Sequence, residues 1–205
     1  RWERGATAAF SLAGTLAGKS GDGRLSLAGK VRLAKKTEDI LDSSLIRTKL
    51  RTEQLDLAGP WPWYRRWTPF QKLGGLLTAE LVLNGPGHDF TASGSLEITD
   101  PELAYPPVFP ETIKAARLRL TCDVHRTPGA VVMSRAEAAL DGLKVQGKMT
   151  LKDLLSPDPF VEATTSVADF DLERHGNLIP YGIIPASTGN FIRKYVRAGV
   201  FHVET

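Results

Sequence analysis

Hydrophobic and polar residues alternate with a period of two along most of the chain, the pattern of β-strands that bury one face. The clearest run is residues 116–125, Ala-Arg-Leu-Arg-Leu-Thr-Cys-Asp-Val-His, which fits alternation at every position. Similar runs cover residues 6–16, 25–33, 77–83 and 143–151. Turn-forming Gly, Pro, Asn and Asp residues separate these runs, so consecutive runs are predicted to pair as antiparallel neighbours.

Helix signals are confined to two places. One is the aromatic segment at residues 60–71, and the other is residues 188–197, which Ser187 or Thr188 is placed to cap. The pattern therefore predicts a mainly β protein, a curved antiparallel sheet or tandem β-repeat with one or two short helices.

One strand motif occurs twice. Gly29–Leu33 (Gly-Lys-Val-Arg-Leu) recurs as Gly147–Leu151 (Gly-Lys-Met-Thr-Leu). Each copy is followed by a second strand in which the apolar positions shift parity by one residue, before Leu55 in the first copy and before Phe170 in the second. A parity shift without a turn predicts a β-bulge, so both strands are expected to bend at the same place.

The repeat predicts two modules. Residues 1–73 form the first, with the aromatic helix near residues 60–71, and residues 74–205 form the second, with the C-terminal helix near residues 188–197. Such a tandem array is favoured over a single sandwich.

Composition narrows the function classes. The 205 residues are 42% hydrophobic and 24% charged, which is typical of an ordered chain and not of a disordered or membrane-embedded one. The net charge of +3 comes from basic residues interspersed with acidic ones, so no nucleic-acid partner is expected. The single cysteine, Cys122, excludes an internal disulfide.

No pattern that carries chemistry is present. Hydrolase, nucleotide-binding and dinucleotide motifs are missing, and Cys122 and His125 lie three residues apart in an alternating strand, where they face opposite sides. Asp56 and Asp171 recur at the ends of the repeated strands, where an outward-facing or turn-bonding carboxylate is favoured over catalysis. We therefore predict a non-enzymatic protein with no catalytic residue, cofactor or metal.

Several of these segments together resemble the AsmA-like family of bacterial envelope proteins, which includes the TamB and YhdP branches. The matching residues are 143–151, a strand with Gly at its centre, the proline-marked linker 156–160, the bent strand 161–172, and Leu178–Tyr181. The resemblance covers about two thirds of the chain, and its motifs are short.

The resemblance implies a repeating β-groove with an apolar concave face, in a protein that is anchored at the inner membrane, crosses the periplasm and conducts phospholipid toward the outer membrane. Its partners are phospholipid or another acyl-chain lipid, and other envelope proteins. The chain is then expected to be an internal, periplasmic fragment whose membrane contacts lie in other parts of the parent. These are expectations from likeness to a family.

Alternation assigns the apolar side chains to one face. The candidate groove lining is the set Leu25, Leu27, Val31, Leu33, Leu81, Leu83, Leu118, Leu120, Val124, Val145 and Met149. The alternative, that these residues pack against a second sheet in a closed core, has equal weight at this point.

A second candidate is the aromatic cluster. The set comprises Trp61, Trp63, Arg65, Arg66 and Trp67. Trp prefers membrane interfaces and Arg pairs with phosphate, so the cluster could be an interfacial patch. A plug that closes the end of the sheet is favoured over this reading.

Two other functions stay open. The chain could be a structural or assembly scaffold for outer-membrane biogenesis that engages envelope proteins by strand addition. A carbohydrate-active β-domain has weaker support, from the Trp cluster alone.

Overall fold

The fold is described by a computed structural model. Its described residues are 7–18, 21–32, 44–67, 70–153, 160–196 and 198–204. They form one antiparallel sheet in the order β1-β2-β3-β4-β5-β7-β8-β9-β10-β11, with β6 paired to β5. This confirms the predicted mainly β class and the meander.

The strands pair mostly in chain order, and the helices lie in the long connections from β3 to β4 and from β10 to β11. Their bounds are β1 Thr7–Gly18, β2 Gly21–Arg32, β3 Leu45–Asp56, β4 Lys72–Gly85, β5 Phe90–Ala104, β6 Ile113–Lys114, β7 Arg117–Arg126, β8 Ala130–Leu140, β9 Leu143–Lys152, β10 Phe160–Asp171 and β11 Val200–Glu204. The helices are α1 Trp61–Tyr64 with a 3₁₀ turn Arg65–Trp67, α2 Leu172–His175 with a 3₁₀ turn Gly176–Leu178, and α3 Ala186–Tyr195.

The short helices at both predicted places are present, but the predicted cap of the second is wrong. α3 begins at Ala186, and its N-cap is Pro185, which has extended backbone and makes no side-chain hydrogen bond. Pro185 disfavours a helical conformation in Ile184, so the helix begins directly after the proline, ahead of Ser187 and Thr188. α2 was not predicted, because four residues are too few for a helical period to show.

Strand register places the apolar positions of neighbouring strands opposite one another. Leu27 in β2 pairs with Leu12 in β1 and with Leu50 in β3, and Leu50 pairs in turn with Leu81 in β4. Opposed residues in adjacent strands point to the same side of a sheet. One face of the sheet is therefore apolar.

The opposite face is charged. Lys49 Nζ lies 2.8 Å from Glu80 Oε1, and Arg119 Nε donates to Glu97 Oε2 at 2.6 Å, in each case across a strand pair. Hydrogen bonds from these two cations hold the pKa values of Glu80 and Glu97 below the usual range of a carboxyl. The carboxylates stay ionised at neutral pH, so this face is compatible with water.

The buried apolar residues gather toward one end of the sheet. Among the described residues they are Leu57, Ala79, Ile98, Ile113 and Leu143. Leu57 follows the end of β3, Ile113 lies in β6, and Leu143 opens β9. Ala79 is the exception, because it lies in the interior of β4 opposite Thr52 and Leu96. The larger buried apolar side chains lie where the strand ends meet.

The two predicted bends are confirmed. The register of β3 shifts between Thr52 and Leu55, and that of β10 shifts between Val167 and Phe170. The residue before each final apolar position is left-handed, with φ +49° at Gln54 and a similar value in β10. An extra residue in one strand of a pair bends that strand and strengthens its twist.

The two copies share the bend but differ in pairing. Gly29 pairs with Thr48, whereas Gly147 pairs with Thr165, which is two residues farther along the repeated strand than the equivalent of Thr48. A shift of two residues keeps every side chain on the same face. The repeat therefore preserves the face and the bend while the strand register varies.

Two further strands bend at the same level. Gly75 in β4 has φ +113°, and Asp100 in β5 has φ +50°, at the point where the β4–β5 register also shifts. With Gln54 and Asp169, whose φ is +54°, these residues form what we call the bend row. Beyond the bend row lie Leu57, Leu73, Leu103, Ile113 and Phe170.

The predicted module boundary at residues 73 and 74 lies inside β4. β4 is hydrogen-bonded to β3 on one side and to β5 on the other. The two modules are thus units of sequence that share one sheet.

The bend in β3 gives a first test. A non-glycine residue in the left-handed region costs roughly 1–2 kcal/mol of folded-state strain. Glycine removes that strain, but it also raises the entropy of the unfolded chain, which offsets part of the gain in stability. We expect Gln54→Gly to raise the free energy of unfolding by about 0.5–1 kcal/mol in urea titrations.

Gln146 in the regular strand β9 is the matched control. Gln146→Gly should lower the free energy of unfolding by about 0.5–1 kcal/mol, because glycine weakens an ordinary strand. Equal changes in the two variants would contradict a special role for the bend.

Candidate functional site

The predicted lining residues lie on the apolar face. Strand register puts all of those within the described residues on the same side of the sheet, from Leu25 and Leu27 in β2 to Val145 and Met149 in β9. Leu33 lies outside the described residues. None of the others is buried, and each is half-buried.

Half-burial separates an open face from a closed core. A second sheet packed against this face would bury its central side chains, as happens in a sandwich. Leu120 and Leu81, near the middle of the sheet, keep part of their surface exposed, and Leu12 in β1 is 61% exposed. The described part of the chain therefore provides no second layer over the middle of the face.

One end of the face is covered by two irregular segments. We call them the proline-rich loop, residues 105–112, and the C-terminal cap, residues 172–195. Gly182 N in the cap donates to Val108 O in the loop at 3.0 Å. A Cβ on Gly182 would overlap the Pro107 carbonyl, so the two segments approach as closely as a glycine allows.

The recurring aspartates start the turns that follow the bent strands. Asp171 Oδ1 accepts from Glu173 N at 3.0 Å and from Arg174 N at 3.4 Å, which caps α2. Asp56 Oδ1 accepts from Ala58 N at 2.9 Å in the equivalent place after β3. The turn-bonding reading is confirmed for both.

The cap and the loop border an apolar cavity of about 510 Å³, open on one side, against the end of the sheet. Only apolar side chains and prolines line it: Pro101, Leu103, Phe109, Ile113, Leu118, Ala138, Leu140, Leu143, Val145, Val167, Phe170, Leu178, Ile179 and Pro180. Its volume lies within the range of pockets that hold small molecules. A cavity with this lining can hold a hydrocarbon but offers nothing to a charged group.

His175, the last residue of α2, is a buried polar residue within the cap. Its ring centroid lies 5.9 Å from that of Phe170, and neither ring nitrogen has a hydrogen-bond partner among the described residues. A buried polar atom without a partner costs free energy. The contact of α2 with the sheet is therefore weaker than an apolar side chain would make it.

Sequence patterns identified part of this cavity. Leu118 and Val145, both predicted as groove lining, contribute to it. Phe109, Ile113 and residues 178–180 were missed as lining, because they lie in segments without alternation. The available signals were the prolines before Phe109 and the Leu-Ile-Pro-Tyr segment, which carried part of the family resemblance.

The aromatic cluster is described in part. Trp61 in α1 is half-buried, and Arg65 and Arg66 are exposed. The side chains of Trp63 and Trp67 lie outside the described part of the structure. The choice between a plug and an interfacial patch stays a prediction.

The other chemical candidates are separated. Cys122 lies on the apolar face opposite Gly94, whereas His125 lies on the charged face, with Nε2 2.8 Å from Asp89 Oδ1. Burial, and then the Asp123 carboxylate, raises the pKa of the Cys122 thiol. Within the described residues, His, Cys, Asp and Glu form no group of three that could hold a metal ion. No helix among them has the length and hydrophobicity needed to span a membrane.

Gly182 gives a test of the cap. We expect Gly182→Ala to lower the free energy of unfolding by about 1–3 kcal/mol, because the new methyl group pushes the cap away from Pro107. Limited proteolysis should then cleave within residues 172–195 first. The control is Gly129→Ala, where a Cβ meets no atom within 4 Å, and an equal loss in both variants would contradict the close approach.

The chain matches no family model, no curated protein and no solved structure in the comparisons.

Proposed function

We propose that the apolar face binds the acyl chains of phospholipids, as the groove of a periplasm-spanning envelope protein that conducts lipid toward the outer membrane. The observation that carries the proposal is one apolar face that continues across the strands of an open sheet and is left half-exposed by the described residues. The resemblance to AsmA-like proteins supports the same reading from the sequence.

Hydrophobicity alone supplies affinity for such a ligand. A monomeric protein rarely leaves a contiguous apolar patch larger than about a few hundred Å² in water. Each methylene group removed from water contributes about 0.8 kcal/mol, so a tail of about sixteen carbons gains on the order of 10 kcal/mol. No specific contact is needed, and one tail can slide along the face without breaking hydrogen bonds.

The cavity under the cap lies at one end of the apolar face. Leu118 and Val145 belong both to the candidate lining and to the cavity wall, so the face runs into the cavity without a polar barrier. Because the cavity wall is apolar, a tail can enter it while a charged headgroup stays in water.

This role requires no catalytic residue, cofactor or metal. The periplasmic location, the inner-membrane-anchored parent and membrane contact through other parts of that parent belong to the same proposal, and they rest on the family resemblance.

Leu81 and Val82 offer a matched pair of variants. Leu81 lies on the apolar face between Leu50 and Gly94, and Val82 lies on the charged face beside Lys49. We expect Leu81→Glu to remove co-purified phospholipid from the native mass spectrum, because a carboxylate on the apolar face repels a hydrocarbon. Val82→Glu should retain the lipid.

Thermal unfolding of both variants separates a groove from a core. A carboxylate on a face that is open to water is tolerated, whereas in a closed core it unfolds the protein. Wild-type protein that carries no lipid, or an unfolded Leu81→Glu variant beside a folded Val82→Glu variant, would contradict the proposal.

Strand β1 favours the scaffold as a second candidate function. β1 is an edge strand of twelve residues that contains no charged residue and no proline, and it pairs with β2 without a register shift. Edge strands normally carry charged residues, prolines or bulges, which prevent further strand pairing. β11, at the other edge, is short, pairs irregularly with β10 and ends in Glu204. The β1 edge is thus the side suited to accept another strand.

A second copy of the chain is the simplest strand donor to test. In an antiparallel β1–β1 pair centred on Leu12, even-numbered residues oppose even-numbered residues, so the apolar face continues across the pair. We expect the protein to dimerise with concentration in sedimentation experiments, and Ala9→Lys with Ala13→Lys to abolish dimerisation. Ser93→Lys, which places a lysine on the same face of an interior strand opposite Asp123, is the control. A wild-type protein that stays monomeric would contradict the strand-addition candidate.

A further inference from the structure

The outer surface of the C-terminal cap carries an exposed aromatic pair. Phe191 and Tyr195 lie one turn apart on α3, with ring centroids 5.3 Å apart, and they are 57% and 63% exposed. Ile183, in the turn before α3, is 67% exposed. Large apolar side chains clustered on a surface mark an interaction site more often than isolated ones do.

The opposite side of α3 explains why the pair points outward. Gly189 is buried, and a Cβ there would lie 3.4 Å from Tyr181 Cδ1 and 3.7 Å from Ile184. α3 therefore packs on the preceding turn through Gly189, with Ile192 half-buried beside it. The residues at 191 and 195 are left on the side of the helix away from this contact.

Two exposed basic residues lie on α3. Lys194 Nζ lies 5.0 Å from the centroid of the Tyr195 ring, beside the aromatic pair. The Arg193 guanidinium lies 4.1 Å from the centroid of the Tyr181 ring, next to the Gly189 contact. Residues 172–195, which form the cap, contain three basic residues, Arg174, Arg193 and Lys194, and one acidic residue, Glu173. The cap therefore carries a net positive charge.

We propose that the outer surface of the C-terminal cap docks on an anionic phospholipid bilayer. Aromatic side chains that prefer the headgroup region, next to Lys and Arg, are the combination by which a surface helix binds anionic membranes. Charge complementarity decides the partner, since anionic lipid attracts each basic residue near the surface. The surface is separate from the apolar face of the sheet, so membrane docking and lipid loading can fail independently.

Docking would place the cavity close to the bilayer. The inner surface of the same cap supplies Leu178, Ile179 and Pro180 to the cavity wall. A bilayer bound to the outer surface would lie one cap thickness away from the apolar end of the sheet. The cap would then be the element between a membrane and the bound acyl chain.

Vesicle co-sedimentation tests the proposal with purified protein. We expect binding to vesicles of phosphatidylcholine with phosphatidylglycerol, and much weaker binding to phosphatidylcholine alone. Phe191→Ser with Tyr195→Ser should weaken binding roughly tenfold or more, because two apolar side chains no longer leave water. Arg193→Gln with Lys194→Gln should weaken it about fivefold per charge removed.

Three control variants isolate the surface. Phe160 is also an exposed aromatic residue with a lysine, Lys152, over its ring, and Phe160→Ser should leave vesicle binding unchanged. Lys30→Gln with Lys148→Gln removes the same charge from exposed positions on the sheet and should reduce binding little. Phe191→Trp with Tyr195→Trp should bind at least as tightly as the wild type, which guards against reading a folding defect as lost binding.

Each remaining outcome overturns the proposal. These outcomes are no binding to anionic vesicles by folded wild-type protein, equal binding to neutral and anionic vesicles, and equal loss in the cap variants and in their controls. Full competition by inorganic phosphate would assign the cations to a free anion and would also overturn it.

Discussion

Period-two alternation in strands whose apolar residues oppose one another puts the apolar side chains of the sheet on one side. The register achieves this even though the strands differ in sequence and the two repeat copies differ in pairing by two residues. Water is in contact with that side unless something apolar covers it, and the described residues cover it at one end. The bend row and the C-terminal cap are the two features that cover part of this apolar side.

The bend row contributes from within the strands, because it curves them. Residues with positive φ at Gln54, Gly75, Asp100 and Asp169 bend four strands. Three of these strands, β3, β4 and β5, are neighbours, so their bulges act together on the local twist of the sheet, and β10 bends separately on the other side of β7 to β9. The bends bring Leu103 and Phe170 toward the ends of the shorter strands β7 to β9, and the core forms there.

The C-terminal cap covers one end of the apolar side from outside the sheet. Asp171 ends β10 and starts α2 in one residue, by accepting two backbone hydrogen bonds. The chain then crosses the end of the apolar face and meets the proline-rich loop at Gly182. The Asp171 hydrogen bonds and Gly182 thus position the C-terminal cap over the cavity. The unpartnered ring of His175 within it limits how firmly the cap is held.

The sequence by itself determined the class of the fold, the face of each alternating side chain and the places of two bends, because alternation and a parity shift are local properties of a strand. It left an outward-facing or a turn-bonding carboxylate open for Asp56 and Asp171, and the structure shows both in turns. Tertiary structure alone decided that the face is open along its middle and closed at one end, because burial depends on which segments cross the sheet. Phe109, Ile113 and residues 178–180 became cavity lining only through chain crossings that no local pattern records. The start of α3 was likewise decided by Pro185 and by packing at Gly189, which a capping preference at Ser187 or Thr188 could not reveal.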